Sequence, residues 1–264
     1  MLALLAALCL AGCAVSSSGG EFHPRTENTL TVMTEPLPTP GFWEGSGDTP
    51  TGGAEYDLAK ELAQRLGVDR VVVRTEAFSK IVAGDLGDAD LALALITPTD
   101  ARREVLDFTT PYLEASPTLL VKGDRDIPDV QTAQELRWVL GANTTFVALV
   151  DDQIRPDAPA VELEDRSAEI EAVADGTADV AMFDLPEAAA IVDQQPELSM
   201  AAKLDQAEPI AAALPKDSPN SQAVGAALRA MINDGTIDTI TERWLGVSVT
   251  DAEGSVPLLR TNNP

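Results

Sequence analysis

From residue 30 to residue 245 the apolar pattern switches repeatedly between the two-residue repeat of a strand and the three-to-four-residue repeat of a helix. That alternation constrains the fold more than any other feature of the chain. Residues 30–34 (Leu-Thr-Val-Met-Thr) read as a strand, and the Pro- and Gly-rich stretch 36–53 as a loop. A helix is expected over 55–66, with Leu58, Ala59, Leu62, Ala63 and Leu66 on one face and Gly67 as its stop. A strand at 71–73, a helix at 78–83, a strand at 90–95 and a helix at 100–105 continue the series. Strand, helix, strand, helix implies parallel pairing in a layered α/β unit. After an extended run at 116–121 a second such series begins, with helices at 132–136, 145–151, 166–175 and 186–193 and strands at 138–142, 161–163 and 179–183. A strand at 210–214 and helices at 219–234 and 237–245 close the pattern. Two α/β lobes are the economical reading.

Charge narrows the partners. The 264 residues carry a formal net charge of −25, so the summed field repels phosphate backbones and anionic lipid surfaces, and nucleic-acid binding is excluded. Aromatic residues are only 4%, which argues against base-stacking platforms and leaves specificity mainly to polar groups. The lone His23 lies before the first strand and reads as a solvated linker residue, so neither a His-based triad nor a His-rich metal site is expected, and no cofactor.

The chain opens on an apolar run too short to span a bilayer but of the length of a signal-peptide core. Leu10-Ala11-Gly12-Cys13 at its end resembles the bacterial lipobox, which implies that Cys13 is acylated and becomes the first mature residue. No Lys or Arg precedes the run. The expected organisation is therefore a signal peptide over 1–12, a lipidated N-terminus and tether over 13–28, a first lobe over 29–119, a second lobe over 120–207, a return segment of the first lobe over 208–246 and a polar tail over 247–264. Crossings between the lobes are expected near 119–123 and 208–212.

Several short motifs then appear in order. Gly53-Ala54-Glu55-Tyr56-Asp57-Leu58 opens the first helix. Leu95-Ile96-Thr97-Pro98-Thr99-Asp100-Ala101-Arg102 is followed by Asp107-Phe108-Thr109-Thr110-Pro111-Tyr112. Gly176 with Asp179, Asp184-Leu185-Pro186, Asp234-Gly235-Thr236 and Trp244-Leu245-Gly246 come later. Over about residues 29–246 the sequence resembles the type 3 solute-binding proteins of polar amino-acid ABC transporters. The resemblance implies an α/β, two-lobed periplasmic-binding-protein-like fold with a hinge and an interlobe ligand cleft. Ala54 and Tyr56 depart from the family pattern, and Asn143 replaces its Gly in Asn143-Thr144-Thr145.

The resemblance also implies roles. Arg102, whose planar fork can grip a carboxylate through two parallel bonds, would hold the ligand's carboxylate with the N–H and hydroxyl of Thr97, while the carbonyl of Leu95 accepts from the ammonium. Thr144 and Thr145, between a strand and a helix, would meet the same carboxylate from the second lobe. Asp184 would bind the ammonium and Glu35 would face the ligand's side chain, favouring a basic or amide group over an acidic one. Phe42 or Trp43 would supply the aromatic contact, and Trp138 and Trp244 read as core. Plainer readings stand beside these: a solvated helix charge for Arg102, N-caps for Thr144 and Asp184, a loop carboxylate for Glu35. The implied function is that of an exported, monomeric lipoprotein on the outer face of the cell membrane, delivering an amino acid to a permease and its ATPase. A lyase on the same scaffold and a sensory lipoprotein are the rivals.

Overall fold

The parallel alternation is realised twice in the computed structural model, which describes residues 20–246 and 254–260. Strands β1 (Thr29–Thr34), β2 (Leu37–Thr39), β3 (Trp43–Gly47) and β4 (Thr49–Gly52) precede helix α1 (Ala54–Arg65). Next come β5 (Arg70–Thr75), α2 (Phe78–Val82), β6 (Leu91–Ala92), α3 (Asp100–Val105), β7 (Leu106–Phe108) and β8 (Leu113–Ala115). The chain continues with β9 (Pro117–Lys122), α4 (Val130–Gln134), β10 (Trp138–Gly141) and α5 (Thr145–Leu149), which runs into a π-helical turn at Val150–Ile154. Then follow β11 (Val161–Leu163), α6 (Arg166–Asp175), β12 (Val180–Asp184), α7 (Leu185–Gln194) and β13 (Leu198–Lys203). Strands β14 (Glu208–Ile210) and β15 (Ala213–Pro215) and helices α8 (Ser221–Asn233) and α9 (Thr236–Leu245) end the series.

The first sheet runs β5-β1-β6-β15-β7, with β1 parallel to both β5 and β6; the second runs β11-β10-β12-β9-β13, with β10 parallel to both β11 and β12. Each sheet is covered on both faces, because alternate residues of a strand point opposite ways. Val32 and Leu91 face α1, α8 and α9, whereas their neighbours Met33 and Ala92 face α2. In the second sheet Leu119 and Val121 face Phe146, Val150 and Ile154, and Leu120 faces α6 and α7. Two layered cores result, joined where β8 pairs antiparallel with β14.

Several expectations need correction. The expected loop at 36–53 contains the three-stranded meander β2-β3-β4, whose short strands turn into one another at glycines of positive φ (Gly41 at 77°, Gly47 at 54°). Only Leu91–Ala92 of the expected strand at 90–95 pairs with β1, since the chain then turns through Leu95 at φ 51°. The expected strand at 210–214 is two strands, interrupted where Ala211 N–H donates to Ile96 O and Ala212 O accepts from Thr109 N–H. Strand β13, at the edge of its sheet and bulged between Met200 and Ala202, was not expected at all. The crossing expected near 119–123 falls inside β9, whose Leu119, Leu120 and Val121 are fully buried in the second sheet; the chain crosses ahead of Pro117 instead.

Residues 20–28 and 254–260 are bonded to the fold, where a tether and a polar tail were expected. Phe22 packs on the first core, His23 exchanges backbone bonds with the Asn220 side chain at 2.8 and 2.9 Å, and Arg25 N–H donates to Asp90. Residues 254–260 lie along the exposed edge of β13, with Lys203 N–H donating to Pro257 O at 2.9 Å and Leu259 N–H to Lys203 O at 2.8 Å. Val256 packs with Leu185, and Leu259 enters the second core, so the segment covers an otherwise unpaired edge. Cys13, the signal peptide expected over 1–12 and residues 247–253 and 261–264 lie outside the described residues. Among the described residues no helix is long and apolar enough to cross a membrane.

Candidate functional site

In open α/β sheets, ligands sit beyond the carboxyl ends of the parallel strands. Both sheets turn those ends toward each other. From the first sheet come Glu35 after β1, Phe78 after β5, and Leu95 to Thr97 after β6; from the second come Asn143 to Thr145 after β10, Arg166 after β11 and Asp184 at the end of β12.

Arg102 is the centre of the junction. The Thr99 hydroxyl caps α3 by accepting from the Arg102 N–H, which sets the helix start so that the guanidinium turns inward. It is only 8% exposed, which rules out the solvated-charge reading. Its Nη1 donates to Thr97 O and its Nη2 to Asn143 O, both at 2.8 Å, so one side chain ties the two sheets together. The guanidinium carbon lies 5.2 Å from the Phe78 ring centroid, within cation–π range. Burial pulls its pKa down to about 10, against the opposing field of Glu208. Two of its five N–H donors are used, which leaves donors free for a carboxylate.

Leu95 holds left-handed backbone geometry because its N–H is fixed by the buried Glu55 carboxylate at 3.1 Å. Glu55 also accepts from Trp43 Nε1 at 2.6 Å and from the Tyr112 hydroxyl. Burial raises the pKa of Glu55, and the three donors oppose that shift. Across the junction Asn143 stands at φ 63°, as its replacement of a glycine requires. The Thr144 hydroxyl donates back to Gly141 O at 2.7 Å, a local turn bond. The Thr145 hydroxyl donates to Glu208 at 2.5 Å.

Asp184 is 6% exposed and its side chain makes no capping bond to α7. Burial holds its pKa well above the carboxylate range, aided by Glu187 and Glu208 and opposed by Arg166. Among the described residues neither Arg102 nor Asp184 forms an ion pair. Glu35, by contrast, is paired: Arg166 Nη2 reaches it at 2.7 Å, and Arg166 Nη1 reaches both oxygens of Glu187 at 2.9 and 2.8 Å. The loop-carboxylate reading of Glu35 is thereby replaced.

Thr97, Leu95, Thr144, Thr145, Asp184 and Glu35 thus all lie at the facing strand ends, with Arg102 between them. Phe42 does not. It is 1% exposed inside the first core, where its carbonyl accepts from Glu55 N–H and Gly53 presses against its backbone so closely that no side chain fits there. The aromatic ring at the junction is Phe78, which sequence reasoning passed over as the start of a short helix. Arg166, Glu169, Glu187 and Glu55 were missed as well. The available signal was a lone charge within apolar helical runs, as in Leu185-Pro186-Glu187-Ala188. Among the described residues no group of His, Cys, Asp and Glu is arranged to hold a metal ion.

Comparison with known proteins agrees with this geometry. The chain is 26% identical over 259 residues to the ABC transporter glutamine-binding protein GlnH of Bacillus subtilis, covering 93% of this chain and 95% of that protein. An L-arginine-bound amino-acid ABC transporter substrate-binding protein, AbpA of Streptococcus pneumoniae, superposes with a TM-score of 0.74 at 25% identity, covering 84% of this chain and 96% of that one. An ancestral arginine-binding protein bound to glutamine gives the same TM-score at 28% identity, over 84% of this chain and all of that one. With residues 30–247 matching the family model across both sheets and the junction between them, the chain belongs to the bacterial extracellular solute-binding proteins, family 3.

Proposed function

We propose that the chain is the substrate-binding lipoprotein of an ABC importer, capturing a polar amino acid between its lobes and delivering it to a membrane permease. The observation that carries this reading is the buried guanidinium of Arg102 and the buried carboxyl group of Asp184, neither of which has an ion-pair partner among the described residues and which an amino acid's carboxylate and ammonium would complement. Desolvating a lone charge is costly, and an α-amino acid supplies the missing partner of each. In this reading Arg102 and Thr97 hold the carboxylate with help from Thr144 and Thr145, while Asp184 and the Leu95 carbonyl hold the ammonium. Phe78 takes the ring contact first expected of Phe42, and Glu35 lies on the side-chain half of the site. The site is assigned no bond-breaking step.

Closure is a hinge motion about the paired strands β8 and β14. Acylation at Cys13 holds the mature protein on the outer face of the membrane, and its partners are the permease and ATPase subunits of the importer. Two measurements test the reading. A thermal-shift screen against the amino acids is expected to find a ligand that, at 100 times its Kd, stabilises the fold by about 2.7 kcal/mol. Cys13→Ala is expected to release the protein from the membrane fraction with binding intact. A flat screen, or a variant that still pellets with membranes, contradicts the respective half.

A further inference from the structure

We propose that Arg166 determines specificity: its guanidinium occupies the acidic subsite of Glu35, Glu169 and Glu187, so the protein selects amino acids with neutral, hydrogen-bonding side chains and rejects arginine and lysine. The inference rests on the amino-acid-binding reading and sharpens it.

Three carboxylates from three elements converge beside Asp184. Glu35 follows β1, Glu169 lies on α6 and Glu187 on the first turn of α7. All three are buried, at 6%, 2% and 0% exposure. Buried carboxylates require a cation, and this chain supplies its own. Arg166 bridges Glu35 of the first lobe to Glu187 of the second through bonds of 2.7 to 2.9 Å. Burial works against its charge, yet the fields of Glu187, Glu35 and Glu169 outweigh burial and raise its pKa well above the usual value. A ligand guanidinium or ammonium entering the subsite would meet that fixed like charge, and Glu35 and Glu187 are already engaged by Arg166. An acidic side chain would face the same carboxylates.

A neutral polar side chain fits better. Arg166 Nε and Glu169 Oε1 are both buried without a hydrogen-bond partner. One is a donor and the other a carboxyl oxygen, the complement of a carboxamide, which brings an acceptor and a donor together.

The test is calorimetry on the full-length wild type, Arg166→Gln and Arg166→Lys with glutamine, asparagine, serine, threonine, citrulline, arginine and lysine. Citrulline matches arginine in length without its charge. The wild type is expected to bind a neutral polar amino acid at least about 100-fold more tightly than arginine or lysine, as a fixed like charge in a buried site dictates. Arg166→Gln is expected to shift the arginine-to-neutral ratio toward arginine by at least about 10-fold without a matching gain for citrulline, and Arg166→Lys to keep rejecting arginine. If Arg166→Gln does not unfold cooperatively by itself, restoration of a cooperative melt by arginine and not by citrulline supports the proposal, and its failure overturns it. A wild type that binds arginine, an acidic or an apolar amino acid best, or an unchanged ratio in Arg166→Gln, overturns this proposal while leaving the amino-acid reading standing. A wild type that binds no amino acid overturns both.

Discussion

Arg102→Ala separates the binding role of this side chain from its structural one. Removing it deletes two bonds of 2.8 Å, to Thr97 O and to Asn143 O, and the stack on Phe78. Bonds from a charged donor contribute about 1.5–3 kcal/mol each, but burial of the guanidinium works against them, as its pKa of about 10 records. The two effects largely offset, so the melting temperature of the ligand-free variant is expected to move by only a few degrees. Ligand affinity has no such offset. The variant loses the forked grip on the carboxylate and leaves that carboxylate desolvated within a protein of net charge −25. Two lost charged bonds correspond to roughly 3–6 kcal/mol, a weakening of at least about 100-fold. Arg102→Lys keeps the charge without the fork and is expected to fall between the two. Calorimetry on the folded variants, with melts run alongside, reads both quantities. Undiminished affinity in Arg102→Ala, or a collapse of stability with affinity unchanged, would refute the reasoning.

Tyr112→Phe removes one of the three donors on the buried Glu55 carboxylate and is expected to cost about 1–3 kcal/mol of stability by denaturant unfolding, with weaker binding because Leu95 loses its fixed anchor. Burial pushes Glu187 from 4.5 up to about 7, so between those values the native chain holds more protons than the unfolded one and stability from this group falls as pH rises. Glu187→Gln is expected to make that limb of the stability–pH curve shallower by up to about 1.4 kcal/mol per pH unit; an unchanged slope would contradict the assignment. Leu259→Ala is expected to cost about 2–4 kcal/mol, because Leu259 sits in the second core although it belongs to the C-terminal segment, and a thermal melt within a degree of wild type would show that the segment does not dock.

Legibility followed distance along the chain. The period switches from 30 to 245 revealed both α/β series, since strands such as β1 and β12 and helices such as α1 and α9 carry their pattern within a few residues. Arg102 was legible because Thr97, its Thr99 cap and the arginine itself fall within six residues of one another. The meander β2-β3-β4 was not, because glycine and proline dilute the alternation and the strands are held by main-chain bonds that leave no trace in side-chain type. Arg166 was missed because its partners lie 21 and 131 positions away. Phe42 was misplaced because an aromatic residue in a loop has no period to show which way it faces, and only the packing of Gly53 against its backbone turns it into the core.

In the proposed site Arg102 and Asp184 are the two halves of a receptor for a zwitterion. The most direct test of that pairing is calorimetry of the wild-type protein with the tightest-binding amino acid of the screen, beside the N-acetylated and the carboxamide forms of that amino acid. The free amino acid is expected to bind at micromolar affinity or tighter and each blocked form at least about 100-fold more weakly, since each leaves one buried polar group of the pair without its partner. Binding of either blocked form at the affinity of the free amino acid would contradict the pairing.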